Sequence, residues 1–193
     1  MSEAWRLFVA LELPPNVLTT LARIRSGLKR SIPSGAVRWV QPEGIHLTLK
    51  FLGDVPVSQL ADLKTALEQA AGGHSPFELE IRGLGCFPNT QRPRVLWVGV
   101  GGDLPRLSAL QSAVEQFIAP LGYPTERDTF SPHLTLARTA RQAGREEIAA
   151  LGRVAEQTDI GQAARWRVEA VSLMRSQLKP DGAVYTEVHQ VKL

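Results

Sequence analysis

The amino-acid sequence predicts an α+β chain with antiparallel sheets and helices in two similar lobes, which would form a central cleft if they face each other. Three observations lead to this class. Strand-period and helix-period segments follow one another with hairpin-like neighbours, a pattern that suits antiparallel sheets better than a doubly wound parallel one. The tetrapeptide His-Leu-Thr-Leu occurs twice, at 46–49 and 133–136, 87 residues apart. Two copies imply two similar lobes, since a solenoid needs at least three repeats. Finally, 193 residues with 44% hydrophobic and 21% charged side chains can bury about 70% of the unfolded surface without a disulfide or metal staple.

The elements follow in order. Leu7 to Leu11 is a short run of strand formers closed by Pro14-Pro15, and Pro15 suits the first turn of a helix to about Arg30 with Val17, Leu18, Leu21, Ile24 and Leu28 inward. Val37 to Val40 is a brief strand. His46 to Leu52 alternates, which puts His46, Thr48 and Lys50 on one face and Leu47, Leu49 and Phe51 on the other, and Gly53 is expected to end the strand. Ser58 is expected to cap a helix running to Ala71. Phe77 to Gly83 and Val95 to Val100 read as strands, joined through the irregular segment Pro88 to Pro93. Leu104 to Ala119 has helical spacing at Leu107, Leu110, Val114 and Phe117, with Gly122 as its stop. His133 to Arg138 alternates again. A helix over Arg145 to Ala155 precedes strands Trp166 to Met174 and Tyr185 to Leu193, joined by the turn Lys179-Pro180-Asp181-Gly182.

Charge and cysteine content narrow the chemistry. The net charge of +3 and the excess of arginine over lysine permit an anionic substrate, but the chain lacks the dense basic stripe of a protein gripping many phosphates, so any RNA contact is short. The single cysteine, Cys86, excludes an internal disulfide and a cysteine-based zinc site and fits a reducing compartment. No basic leader with a cleavage pattern and no apolar stretch of about 20 residues appears, so a cytoplasmic protein without a membrane segment is expected.

The repeated tetrapeptide carries the functional reading. Residues i and i+2 of a strand share a face, so each copy presents an imidazole beside a hydroxyl while its leucines anchor the strand. Facing lobes would converge two His and two Thr on one anionic phosphate. One imidazole could take a proton from water, the other could give one to a leaving oxygen, and the hydroxyls could donate to the non-bridging oxygens. Neither a nucleophilic side chain nor a metal is needed, and no Asp, Glu or Cys lies beside either motif at a ligand spacing. Phe51 has two readings, a platform for a base or a core residue beside Leu49. Trp39, Trp97 and Trp166 read as core or rim. His74 and His189 read as solvated or structural, and Asn89 to Arg94 either lines the cleft mouth or is a plain loop.

With these residues the sequence resembles the 2H phosphoesterase superfamily, and within it the RNA 2′,3′-cyclic phosphodiesterases once named 2′-5′ RNA ligases. The resemblance covers almost the whole chain: Arg6 to Ala10, Pro42 to Gly53, Phe130 to Arg138, and Leu173 to Ser176 followed by Gly182 and Tyr185. It implies that residues 1–193 form one bilobal α+β domain of two pseudo-symmetric lobes around a central, water-filled cleft, with one motif per lobe. It implies a metal-independent, cofactor-free hydrolysis of 2′,3′-cyclic phosphate ends of RNA or small nucleotides to a 2′-phosphomonoester. His46 would be the proton donor, His133 the acceptor, and Thr48 and Thr135 the holders of the phosphate. Arg138 would join them, yet strict alternation puts 133, 135 and 137 on one face and Arg138 on the other, so a β-bulge or the end of the strand must turn it. A monomer is expected. Ligation, the reverse reaction, and a binding module without turnover are the alternatives.

Overall fold

The computed structural model describes residues 3–179 and 182–193. Strands β1 (Ala4–Leu11), β3 (Leu47–Pro56), β8 (Ala170–Lys179) and β9 (Gly182–Lys192) form a four-stranded sheet in the order β3-β1-β8-β9. Strands β2 (Val37–Trp39), β4 (Phe77–Phe87), β5 (Val95–Gly102), β6 (His133–Thr139) and β7 (Gln162–Val168) form a five-stranded sheet in the order β2-β6-β5-β4-β7. Every pairing is antiparallel. The α+β class and the two antiparallel sheets are as the sequence predicts. Pro180 and Asp181 of the expected turn lie outside the described residues.

Helix α1 (Pro15–Leu28) follows β1, α2 (Leu60–Ala71) follows β3, α3 (Leu104–Ile118) follows β5 and α4 (Arg145–Gln157) follows β6. The helices do not all stay with the sheets that precede them. α1 packs against β7 and α4 against β4, both on the five-stranded sheet, whereas α2 packs on β8, β9 and α3, and α3 on β3. Each β-α-β unit that ends in a motif therefore sends its helix to the other sheet. One continuous apolar core spans both. Among the described residues no helix is long and apolar enough to cross a membrane.

Local sequence accounts for most boundaries. Pro15 opens α1 at the first helical position, where its missing N–H costs nothing. Asp103 caps α3 by accepting from the Arg106 amide at 3.2 Å. Its buried stripe is Leu107, Leu110, Val114 and Ile118 rather than Phe117, which is 37% exposed. Eleven residues make about three turns, so 118 and not 117 returns beneath 107.

Three expectations fail. Ser58 does not cap α2, because residues Val57–Gln59 form a 3₁₀ turn and Gln59 takes the cap position without a side-chain bond. Gly53 does not end β3. It pairs with Leu7 while Phe51 pairs with Phe8, so Leu52 is an extra residue in a bulge that Gly53, at φ 74°, accommodates, and the strand continues to Pro56. The run Trp166 to Met174 is two strands, broken at Glu169, which belong to different sheets. Strand propensity says that a segment is extended and nothing about which sheet it joins.

Candidate active site

The two motifs occupy equivalent places. His46 lies one residue before β3, and His133 is the first residue of β6. Each imidazole has the backbone carbonyl two residues upstream beside it, Gly44 for His46 and Ser131 for His133, and each carbonyl favours the protonated ring. For His133 a hydrogen bond runs from Nδ1 to the Ser131 oxygen at 2.8 Å, which leaves Nε2 as the outward, proton-accepting nitrogen. Leu47 and Leu49, Leu134 and Leu136 are buried in the core, while Thr48 and Thr135 stay half-buried.

Both strands then bulge at the same point. In β3 the register steps from Ala10↔Thr48 to Val9↔Lys50, leaving Leu49 unpaired. In β6 it steps from Trp97↔Thr135 to Leu96↔Ala137, leaving Leu136 unpaired. Each freed carbonyl finds another donor: Gln111 Nε2 reaches Leu49 O at 3.4 Å, and the Val40 amide reaches Leu136 O at 2.8 Å.

An extra residue reverses the alternation beyond it. Lys50 consequently does not share the face of His46. It turns inward, 2% exposed, pairs with Glu115 of α3 and donates to Pro124 O at 2.9 Å. Phe51 in turn is not a core residue but 60% exposed on the motif side. In β6, Ala137 goes into the core and Arg138 comes to the face of His133 and Thr135, which removes the parity conflict. Phe51 and Arg138, each five residues after its histidine, are counterparts. β3 and β6 are neighbours in space although they belong to different sheets.

Aromatic rings hold both imidazoles. Phe8 stacks on His46 with centroids 4.6 Å apart, Tyr185 meets it edge-on at 4.9 Å, and Phe51 lies 6.1 Å from Phe8. Phe87 meets His133 edge-on at 4.8 Å, with Trp97 at 6.4 Å. Trp97, expected in the core or at the rim, flanks the second motif because Gly85 leaves it room: a Cβ on Gly85 would sit 2.4 Å from the indole. Gly85→Ala is expected to displace Trp97 and destabilise the fold by about 1–3 kcal/mol, seen as a lower melting temperature with a changed near-ultraviolet circular dichroism signal.

The environment favours neutral imidazoles in the free protein. Burial lowers His46 to about 4, against the opposing effects of the Gly44 carbonyl and the Glu12 carboxylate. Burial also lowers His133, opposed by the Ser131 carbonyl and reinforced by the Arg138 charge. Cys86 is no nucleophile, since burial pushes its thiol up to about 11. Among the described residues no three His, Cys, Asp or Glu side chains gather as a metal-ligand set.

Other candidates have ordinary roles. His189 bonds Glu68 at 3.0 Å. Asn89 Oδ1 accepts the Gln91 and Arg92 amides, so this segment is a self-bonded turn. Sequence reasoning missed Phe8, Glu12, Phe87 and Tyr185 around the histidines. Of these Phe8 had a local signal, an aromatic near the centre of a predicted strand, but its partner was not readable.

Two antiparallel sheets, each bringing one His-x-Thr strand with a matching bulge to their junction, define a phosphoesterase of the 2H type. The chain belongs to the LigT-like phosphoesterase family, whose model matches residues 11–97 and 102–185. It is 35% identical over 188 residues to the RNA 2′,3′-cyclic phosphodiesterase of Methanothermobacter thermautotrophicus, covering 97% of this chain and 98% of that one. The crystal structure of TT0787 of Thermus thermophilus superposes with a TM-score of 0.77 at 32% identity, covering 97% of both chains. Escherichia coli LigT complexed with 3′-AMP superposes with a TM-score of 0.78 at 25% identity, covering 99% of both.

Proposed function

We propose that the protein hydrolyses 2′,3′-cyclic phosphate ends of RNA or small nucleotides to 2′-phosphomonoesters, with the described chain acting as one bilobal unit whose two motif faces line a single cleft. His133, with Nε2 free, takes a proton from water as the water oxygen bonds to phosphorus. His46 gives a proton to the 3′ oxygen as the P–O3′ bond breaks. Thr48, Thr135 and Arg138 donate to the phosphate oxygens, whose charge grows in the transition state. Phe51, beside Phe8, offers a face for the terminal base.

The observation that carries this reading is the pair of matched bulges. They bring Arg138 to the face of the second His-x-Thr pair and Phe51 to that of the first, so a cation and an aromatic ring flank the four motif side chains. The names of relatives over nearly the full chain support the substrate class, and the LigT complex with 3′-AMP supports a nucleotide site.

Incubation with a nucleoside 2′,3′-cyclic phosphate in EDTA, followed by chromatography, is expected to yield the 2′-phosphate. Mainly 3′-phosphate would reverse the assignment of the leaving oxygen. Loss of turnover on chelation, restored by a divalent metal, would replace the acid–base pair with a metal mechanism.

A further inference from the structure

The two histidines are presented alike, yet the proposed reaction needs one to donate a proton and the other to accept one. The ladders locate where the symmetry ends. With the bulges aligned, Thr48 faces Ala10 as Thr135 faces Trp97, and Leu47 faces Leu11 as Leu134 faces Val98. One step further, His133 is paired with Gly99. A Cβ at Gly99 would lie 2.6 Å from the Arg82 carbonyl oxygen, so no side chain fits there. The β1·β3 ladder ends at Leu11↔Leu47; the next residues are Glu12 and His46, and Glu12 continues the face of Phe8 and Ala10, against which His46 and Tyr185 pack.

Glu12 is held in place. Ser172, 1% exposed and paired with Ala10, donates its hydroxyl to Glu12 Oε1 at 2.7 Å. Gln190 Nε2 donates to Ser172 Oγ at 3.4 Å and to Glu187 Oε2 at 2.9 Å. Across the junction the charge near His133 is of opposite sign, because the bulge brings Arg138 to its face.

We propose that Glu12 is a positioning residue that gives His46 the proton-donor role by placing a carboxylate near one imidazole and not the other. The inference rests on the acid–base reading above. A carboxylate stabilises an imidazolium and a guanidinium disfavours one, so these two charges bias the single proton of the pair toward His46. Glu12 raises His46 and Arg138 lowers His133, as the assignment requires, but in the free protein burial outweighs Glu12 and holds His46 at about 4, so the bias acts in the complex, where a bound phosphate anion lifts both imidazoles. The other groups around His46 do not cancel this effect. Phe8 and Tyr185 are uncharged rings. The Glu187 carboxyl is raised, first by burial and then by the neighbouring Glu12 carboxylate, with His189 opposing. His189 is itself engaged with Glu68.

The test compares the protein with Glu12→Gln, which keeps an oxygen for Ser172 but removes the charge. The His46 Cε1 proton is titrated by NMR with saturating nucleoside 2′-monophosphate, whose anion lifts the imidazoles into a readable range. The rate on a nucleoside 2′,3′-cyclic phosphate is followed across pH at low ionic strength. His46 should titrate about half to one pH unit lower in the variant with His133 nearly unmoved, and kcat/KM should fall about three- to tenfold on the alkaline side and less on the acid side. Glu12→Asp should restore part of the loss. An unmoved His46 titration, or an equal loss at every pH, would overturn the inference and leave the acid–base reading intact. A wild-type rate for His46→Ala would overturn that reading and the inference with it.

Discussion

Alanine at His46 or at His133 is expected to slow the opening of a 2′,3′-cyclic phosphate by about 10²–10⁴-fold each, the usual contribution of one general acid or base. The double variant should lose much less than the product of the two, because acid and base act in one concerted step. Binding should survive, since Thr48, Thr135 and Arg138 remain. Thr48→Ala or Thr135→Ala should cost less than either histidine. The pH dependence has a definite sign. Below the pKa of His133 the base is protonated, and above that of His46 the acid is spent. Burial lowers both imidazoles, so kcat/KM, which reports the free enzyme, should peak on the acid side of the ordinary histidine value of about 6.5. A bound anion raises both groups and should move the kcat bell to higher pH, its limbs belonging to the coupled pair. Initial rates from pH 4 to 9 check this, and single variants with near-full activity would remove both histidines from the chemistry.

Lys50→Met is expected to be the most damaging change to stability near the site, at about 3–5 kcal/mol, because it strands Glu115 as a buried charge. Lys50 is tied to Glu115 and to the Pro124 carbonyl, and Glu115 is also engaged by Gln111 Nε2 at 3.3 Å. Replacing both charges, Lys50→Met with Glu115→Leu, should recover most of the loss, since an apolar pair of similar volume needs no desolvation of ions. Urea midpoints of the two variants and the parent decide the matter. A double variant no better than the single would assign the loss to packing rather than to the unpaired carboxylate.

The same lysine shows how far the sequence could be read. His46, Thr48, His133 and Thr135 were legible because the repeat and the two-residue period place each pair on one face without knowledge of the partner strand. Lys50, Phe51 and Arg138 were not, since a bulge is a mismatch between two strands and the residues of one strand carry no sign of it. Val9 and Leu96, opposite Lys50 and Ala137, look like any strand residues. Glu12 and Tyr185 escaped for a related reason: Glu12 reaches His46 only through the pairing of β1 with β3, and Tyr185 only through that of β9 with β8 and β8 with β1. The antiparallel class followed from alternation and hairpin spacing. The exchange of α1 and α3 between sheets did not, because an apolar helix face is the same whichever sheet it covers.

That exchange bears on how the molecule can move. Following the described elements in order, the chain passes between the two sheets six times: from β1 to α1, β2 to β3, α2 to β4, β5 to α3, α3 to β6 and β7 to β8. Hinge closure in two-lobed proteins works through a few flexible residues at a narrow neck. Here six connections would have to flex in concert, and a shared apolar core would have to shear. The junction where the two motif strands meet is therefore braced, much as a stitched seam is stiffer than a single thread, and in the proposed reaction an incoming RNA end meets motif strands that are already held together. Less of its binding energy is then spent on closing the protein, and more is left for the phosphate in flight.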